Sequence, residues 1–344
     1  VATFNGMMQS LVQHLKDGHE LAPAQIEQAV AALVSTDVAD GEKAAFLIAL
    51  REKGETVNDL AGFANALTAR AISPELDRAA LSGPTIDVCG TGGDRQGFFN
   101  VSTTVMFVAA AAGACVMKHG NRSITSKTGA ADVLEELGVK IDLSPAQLRE
   151  ALERHGVAFI FARTYHPAFA AIGPVRAALA KEGRSSIFNL LGPLMNPARP
   201  DYQLVGVYSS SLLPLYTGAL RALGRKDAWA VHGNGTDELT LTGPSDIAFL
   251  NGEHLTIVPD DFRLTPCKAA DLIGGERAEN AAIVTGILDG TLRGPKRDMV
   301  LLNTAAALVI SNLAEGIRDG IEKAAEAIDG GAALAKLNAL RSAF

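Results

Sequence analysis

The sequence predicts an α/β protein, with a small all-helical domain followed by a larger domain built on a central, mainly parallel sheet. Three observations carry that expectation. The first seventy residues show only helical periodicity, strand and helix patterns alternate from Thr85 onward, and the chain is long enough for two cores. At 344 residues, against a prior of ~150 per domain, about two domains are expected. Pro74 and the Ser82-Gly83-Pro84 turn punctuate the change of period. The division is therefore expected near residue 75, with a helical domain over 1–75 and an α/β domain over 76–344.

In chain order, Leu11, Val12 and Leu15 share one face of a first helix. Pro23 opens a second at a first-turn position, where its missing donor costs little, and Ile26, Val30 and Leu33 follow at helical spacing. A third is predicted over 40–52 through Ala45, Phe46 and Leu50. Thr56 is a good N-cap for a fourth that buries Leu60, Phe63 and Leu67. Strands are then predicted at 85–89, 115–118, 157–161, 203–208 and 228–232. Helices at 102–112, 131–137, 145–155, 174–181 and 212–223 alternate with them, which is the order of parallel βαβ units. Asn251-Gly252 between two short strand patterns, 246–250 and 254–258, is a strong hairpin signal. From Met299 onward an Ala-rich amphipathic pattern predicts helix again.

Composition narrows the function classes. Lys plus Arg number 31 against 38 Asp plus Glu, a net charge of −7, so nucleic acid and anionic membrane are poor general partners. Three cysteines (Cys89, Cys115, Cys267) form no Cys-x-x-Cys, which argues against a disulfide framework or zinc knuckle and for a reducing compartment. The longest apolar run, 105–117, has 13 residues, short of the ~18 of a membrane span, and reads as a helix passing into a strand. Residues 1–17 are an amphipathic mix rather than a secretory signal, so the cytoplasm is the expected location.

Three loops carry chemistry. The first strand runs into Gly90-Thr91-Gly92-Gly93-Asp94, then Gly97, Asn100, Ser102 and Thr103. Clustered glycines let backbone N–H groups approach an anion, and the next helix adds its N-terminal partial charge. Neither the dinucleotide fingerprint nor the P-loop fits: Arg95 stands at the sixth position of the first, and Gly97 is followed by Phe98 and Phe99 rather than Lys-Ser/Thr. The second loop, "KHGNRSITSKTG" from Lys118 to Gly129, concentrates basic and hydroxyl donors at the end of the second strand. Open α/β sheets bind ligands on that side. The third, Gly235-Thr236-Asp237-Glu238, offers two neighbouring carboxylates, the ligand type Mg²⁺ takes alongside substrate phosphates. Ordinary turns and solvated polar loops are the plain reading of each alone; together they point to a polyphosphate substrate.

These loops, with Asn100-Val101-Ser102-Thr103, "YHPAF" at 165–169, "PVR" ending at Arg176 and "NLLGPLMNP" at 189–197, resemble the anthranilate phosphoribosyltransferase family, in the same order over nearly the whole chain. The resemblance implies a nucleoside-phosphorylase-like phosphoribosyltransferase fold, with a helical segment around 165–188 joining the helical domain, and a homodimer through the helical parts. It implies transfer of phosphoribosyl from 5-phosphoribosyl-1-pyrophosphate to the amine of anthranilate, a step of tryptophan biosynthesis. Carried over, Gly90, Gly93, Asp94, Asn100, Val101, Ser102, Thr103, Lys118, His119, Gly120, Asn121, Arg122, Ser123, Ile124, Thr125 and Ser126 would cradle the donor. Ser102, Asp237 and Glu238 would serve two Mg²⁺ ions per subunit. Gly90, Asn121 and Arg176 would position anthranilate, with His119, Tyr165, His166 and Pro193 lining its approach. No covalent nucleophile is expected, and His119 is the candidate late proton acceptor. Phe98 and Ala130 stand where the family usually has a hydroxyl, and Arg95 where it usually has glycine, so weaker donor binding is expected. Two rivals fit less well. A pyrimidine nucleoside phosphorylase of the same fold carries a lysine-serine loop motif absent here. A nucleic-acid-binding relative would need a basic surface and no acidic pair.

Overall fold

The computed structural model describes residues 2–94, 96–123 and 128–344. Four helices open the chain: α1 (Ala2–Lys16), α2 (Pro23–Leu33), α3 (Asp40–Lys53) and α4 (Val57–Thr68). The expected caps are in place. Pro23 occupies the first turn of α2, and Thr56 accepts the Asp59 N–H at 3.2 Å while Asp59 Oδ2 accepts the Thr56 N–H at 3.0 Å. Lys53 reaches the same carboxylate at 2.8 Å, so the α3–α4 turn is locked by a buried ion pair.

The rest of the chain winds around a seven-stranded sheet of order β3-β2-β1-β4-β5-β6-β7. Its strands are β1 (Thr85–Gly90), β2 (Cys115–Gly120), β3 (Val157–Phe161), β4 (Tyr202–Gly206), β5 (Asp227–Gly233), β6 (Ser245–Phe249) and β7 (His254–Ile257). The first five are parallel, and β6 and β7 form the antiparallel hairpin around Asn251-Gly252. Between and after them run α5 (Val101–Ala111), α6 (Ala130–Glu136), α7 (Pro145–His155), α8 (Ala162–Tyr165), α9 (Gly173–Lys181), α10 (Phe188–Leu191) and α11 (Leu213–Ala222), then α12 (Arg277–Leu288), α13 (Pro295–Ile310), α14 (Ile317–Asp329) and α15 (Ala332–Ala343). Strands β1, β2 and β3 are buried along nearly their whole length, as parallel strands covered on both faces must be.

Two apolar cores lie on opposite faces of the sheet. One packs α5, α7 and α12–α15 against β1–β3. The other starts in α1–α4, takes in Ile172, Val175, Phe188 and Leu191, and continues onto Val205, Ala228 and Ala230 of the sheet through α11. Thus the helical part and one sheet face share a single core, and the 165–195 segment lies between them. No described helix is long and apolar enough to cross a membrane.

The differences from the sequence expectation are local. Helix α12 was not anticipated, because Gly286 interrupts its pattern and lowers its helical propensity. Strand β4 ends at Gly206, not at Tyr208, whose N–H turns to the Thr91 hydroxyl. The crossover 162–194 is broken into short helical turns rather than one element.

Candidate active site

Four of the five parallel strands end in glycine: Gly90, Gly120, Gly206 and Gly233. For three of them, Gly90, Gly206 and Gly233, the reason is a crossing chain. A Cβ on Gly90 would meet Asp237 Oδ2 at 2.3 Å, one on Gly206 the Asp237 carbonyl at 1.5 Å, and one on Gly233 the Glu238 carbonyl at 2.4 Å. The acidic loop therefore lies directly across the carboxyl ends of β1, β4 and β5. Gly235, at φ +88°, makes the tight return possible, and reciprocal bonds between Gly233 and Thr236 (3.0 and 2.8 Å) close it. Asn303 fixes the exit by bonding both the N–H and the carbonyl of Leu239.

This loop is laced to the glycine-rich one. Gly92 N–H donates to Asp237 Oδ2 at 2.7 Å, the Thr236 hydroxyl to Asp94 Oδ2 at 2.7 Å, and Gln96 Nε2 to the Gly235 carbonyl at 3.2 Å. Gly92 and Gly93 both sit at positive φ (66° and 83°), the conformation their missing side chains permit. At the start of α5, the Ser102 backbone faces the Glu238 carboxylate. Buried Lys118 donates to the Val88 carbonyl (2.6 Å) and to Ser102 Oγ (3.0 Å), placing its charge beneath the helix start rather than in the open loop. Asn100 spans to the second loop through Nδ2 and the Thr128 carbonyl at 3.2 Å, leaving Oδ1 buried without a partner. Val101 and Thr103 are buried in α5.

Electrostatically this is a site short of positive charge. Burial, then the neighbouring Asp94, pushes the Asp237 carboxyl up to about 7; burial, then Asp237, raises Glu238 well above the carboxylate range. Two carboxylates so strained bind a proton or a cation. Among the described residues no three His, Cys, Asp or Glu side chains gather into a metal cluster. The donor set therefore fits an ion that completes its shell with substrate oxygens, which is the habit of Mg²⁺.

The second loop is divided in its duties. Gly120 gives room for Phe159, whose ring would lie 2.7 Å from a Cβ there. Asn121 is exposed and caps its own neighbour, Oδ1 accepting the Arg122 N–H. Arg122 departs from the expectation of a phosphate ligand. Its guanidinium pairs with Asp132 (3.0 Å) and Glu135 (2.5 Å) on α6 and lies over Phe161, so its donors are spent at the outer edge of the sheet. Ser123 N–H donates to Asp132 Oδ2. Arg95, Ile124, Thr125 and Ser126 lie outside the described residues.

A second set of side chains continues from β2 toward the helices. His119 Nδ1 lies 3.2 Å from the Gly192 carbonyl, and the His166 ring packs against that of His119. A carbonyl only accepts, so the proton of His119 sits on Nδ1 and its buried, unpartnered Nε2 is an acceptor. The Nε2 of His166 is likewise buried and unpartnered. Burial, then the adjacent His166, lowers His119 to about 3, and burial lowers His166 to about 4, so both are neutral near pH 7. The two rings meet edge to face at 5.3 Å; His166 stacks on Phe169 at 5.1 Å, and Phe169 meets Phe188 edge-on at 5.8 Å. Arg176 ends this row with its guanidinium 5.4 Å from the Phe188 centroid. Among the described residues no carboxylate acts on it, and burial alone lowers its proton affinity.

Beneath this wall, buried Asp87 accepts the His119 N–H (3.1 Å) and Asn196 Nδ2 (2.9 Å), and Gln203 Nε2 donates to the Pro193 carbonyl (2.6 Å). The Gly192–Leu194 turn is thereby pinned to the sheet. Tyr165 is a correction: its side chain is fully buried and its hydroxyl donates to the Leu143 carbonyl, so it fixes the crossover rather than lining an approach. Phe188, Asp87 and Gly206 were not singled out from sequence, and Phe169 entered only as the end of the "YHPAF" motif, with no role assigned. Only Gly206 had a local signal, a glycine inside the strand predicted over 203–208.

Comparison with known proteins agrees with this arrangement. A family pattern described as the glycosyl transferase family helical bundle domain matches residues 9–71, and one described as the a/b domain of that family matches 82–334. The anthranilate phosphoribosyltransferase of Anaeromyxobacter dehalogenans is 46% identical over 98% of both chains, and that of Methanocorpusculum labreanum 42% identical over 97% of both. The crystal structure of the Thermus thermophilus enzyme superposes with a TM-score of 0.91 at 35% identity, covering 97% of this chain and 98% of that one. The Saccharomyces cerevisiae enzyme in complex with PRPP and Mg gives 0.90 at 26% identity, over 98% of both chains. Its helical bundle, its sheet with acidic and glycine-rich loops at the strand ends, and its near full-length likeness to these proteins place the chain in the anthranilate phosphoribosyltransferase family.

Proposed function

We propose that this protein transfers the phosphoribosyl group of 5-phosphoribosyl-1-pyrophosphate to the amine of anthranilate, in tryptophan biosynthesis. The products are N-(5-phosphoribosyl)anthranilate and pyrophosphate. One observation carries the reading: the row from His119 to Arg176 joins the polyphosphate loops to a guanidinium that has no carboxylate partner among the described residues and lies against an aromatic face. That is a binding surface for a flat acceptor bearing a carboxylate.

In the reaction the ribose C1–oxygen bond breaks as the amine nitrogen bonds C1, and pyrophosphate leaves with the bond pair. Backbone N–H groups of the 90–94 loop other than those of Thr91 and Gly92, which bond Gly206 and Asp237, bind the phosphate oxygens together with the start of α5. Asp237, Glu238 and Ser102 would hold Mg²⁺, two ions per subunit, which supplies the positive charge that stabilises the leaving group. Arg176 grips the anthranilate carboxylate through two parallel hydrogen bonds, which fixes the ring and aims its amine. The neutral aromatic amine needs no base before attack. Its N–H groups meet the acceptor nitrogens of His119 and His166, and His119 takes the proton released once the C–N bond forms. Positioning and electrostatics thus carry most of the catalysis. A homodimer through the helical parts and a cytoplasmic location complete the proposal.

The test is direct. Loss of anthranilate fluorescence on mixing with donor and Mg²⁺, with stoichiometric pyrophosphate release, is expected. Unchanged fluorescence over saturating donor refutes it.

A further inference from the structure

Residues 272–276, between the β6–β7 hairpin and α12, belong to none of the loops used so far, yet they touch both phosphate loops. On one side Phe99 N–H donates to the Leu272 carbonyl at 3.1 Å and Gly274 N–H to the Gly97 carbonyl at 3.0 Å, with Phe98 opposite Ile273 in an antiparallel bridge. This short ribbon grips the first loop just before α5. On the other side the Thr128 hydroxyl donates to the Gly275 carbonyl at 3.0 Å, gripping the end of the second loop.

Asn280, in the first turns of α12 and 3% exposed, ties the two grips together. Its Oδ1 accepts the Gly275 N–H at 3.0 Å and its Nδ2 donates to the Gly275 carbonyl at 3.1 Å, saturating the polar groups of one residue. The approach is close enough to exclude a side chain at 274, where a Cβ would lie 2.4 Å from Asn280 Oδ1 and 3.0 Å from Phe99 N. Alongside, Arg277 pairs with Asp132 at 2.8 Å, and Asp132 accepts N–H groups from Ser123 and Gly129, closing the base of the second loop. A plain surface turn requires neither a buried asparagine nor contacts to two separate loops.

We infer that residues 272–280 form a bracket that sets the spacing of the two phosphate loops, and that Asn280 is a positioning residue for the phosphoribosyl donor. It acts through Gly275 on Thr128, and through Gly274 on Gly97. The inference rests on the functional reading above, in which the donor spans both loops while anthranilate is held at the far end by Arg176. Spacing of the loops then governs donor affinity and leaves acceptor affinity alone.

Thr128→Val keeps the side-chain volume and removes the hydroxyl, Thr128→Ser restores it, and Asn280→Ala removes the link to Gly275. The donor KM is expected to rise about tenfold in Thr128→Val, the loss of one well-placed hydrogen bond, and at least as much in Asn280→Ala, which loses two. The anthranilate KM should stay within about twofold and Thr128→Ser should behave as the parent. Because both ties meet at Gly275, the Thr128→Val/Asn280→Ala double variant should be no worse than the poorer single one. A fully structural role predicts instead equal rises for both substrates. Calorimetric titration with pyrophosphate alone reads the same spacing without acceptor chemistry. A parent that fails to consume anthranilate refutes the functional reading, and the pyrophosphate titration still decides the bracket. Parental pyrophosphate affinity and donor KM in Thr128→Val overturn the bracket, whether or not Asn280→Ala folds.

Discussion

The two ends of the cleft are made of different material. The donor end is largely main chain: glycine loops, a helix start, and an acidic loop crossing strands that have given up their side chains to let it pass. The acceptor end is made of side chains, His119, His166, Phe169, Phe188 and Arg176, brought together from β2, the 162–194 crossover and its helices. Phosphate is recognised by backbone groups whose geometry local sequence dictates. A flat aromatic acid is recognised by surfaces that only tertiary packing assembles. Damage should therefore differ in kind: at the acidic loop of the donor end in turnover, at the acceptor end in the affinity for anthranilate.

The largest effect belongs to the acidic loop. Asp237 and Glu238 hold raised proton affinities because burial and like charge crowd them, a strain that a bound cation relieves. Replacing both by Ala removes that demand while leaving Thr236 and Asn303 to hold the loop. Turnover is expected to fall about a hundred- to a thousandfold, since transition-state charge stabilisation of this kind is worth roughly 3–4 kcal/mol. Steady-state assays with and without chelator check it. Parental activity in the double variant, or indifference of the parent to excess chelator, breaks the distinction between the two ends.

This contrast also explains what was legible beforehand. The βαβ order, Pro23 in the first turn of α2, the Thr56 cap and the Asn251-Gly252 hairpin are local, and sequence pattern states them. So are the three loops, since glycine spacing and adjacent carboxylates announce themselves. The row ending at Arg176 is not local: nothing in its helix distinguishes Arg176 from a surface arginine until Phe188 is seen beneath it. Arg122 shows the converse. Its place in a basic loop suggested a phosphate ligand, but Asp132 and Glu135 on the following helix claim it. Phe98 is similar. Where a hydroxyl was expected, its side chain packs against the α/β core and its backbone pairs with Ile273, so Phe98→Thr would exchange packing for a contact.

Arg176 gives the next effect in size. A planar guanidinium meets a carboxylate with two hydrogen bonds, and lysine keeps the charge but loses the fork. Charge-assisted bonds are worth ~1.5–3 kcal/mol each. Arg176→Ala and Arg176→Lys should therefore both raise the anthranilate KM by roughly ten- to a hundredfold, with the donor KM nearly unchanged. Varying each substrate in turn separates the ends of the cleft. A parental anthranilate KM in both variants removes Arg176 from the acceptor site.

The smallest effect is on pH dependence, and it sharpens the contrast because the imidazoles at the acceptor end are proton acceptors held neutral. His119 is lowered to about 3 by burial, then by His166 and Lys118, and His166 to about 4 by burial. Both lie well below the ordinary 6.5, so kcat/KM for anthranilate should show no limb from either between pH 6 and 9. Stability carries the complementary signature. As pH falls through 6.5 the unfolded chain protonates these rings while the folded chain does not, so protons favour unfolding. The stability they permit is complete above about 6.5 and is lost progressively toward pH 4, by about 1.4 kcal/mol per pH unit for each ring. His166→Phe, which can keep the stacking on Phe169, removes one such ring. Its thermal midpoint should decline less steeply than the parent's between pH 6.5 and 5. Equal slopes would mean that His166 takes up its proton in the folded state, and that the acceptor end is wetter than its burial implies.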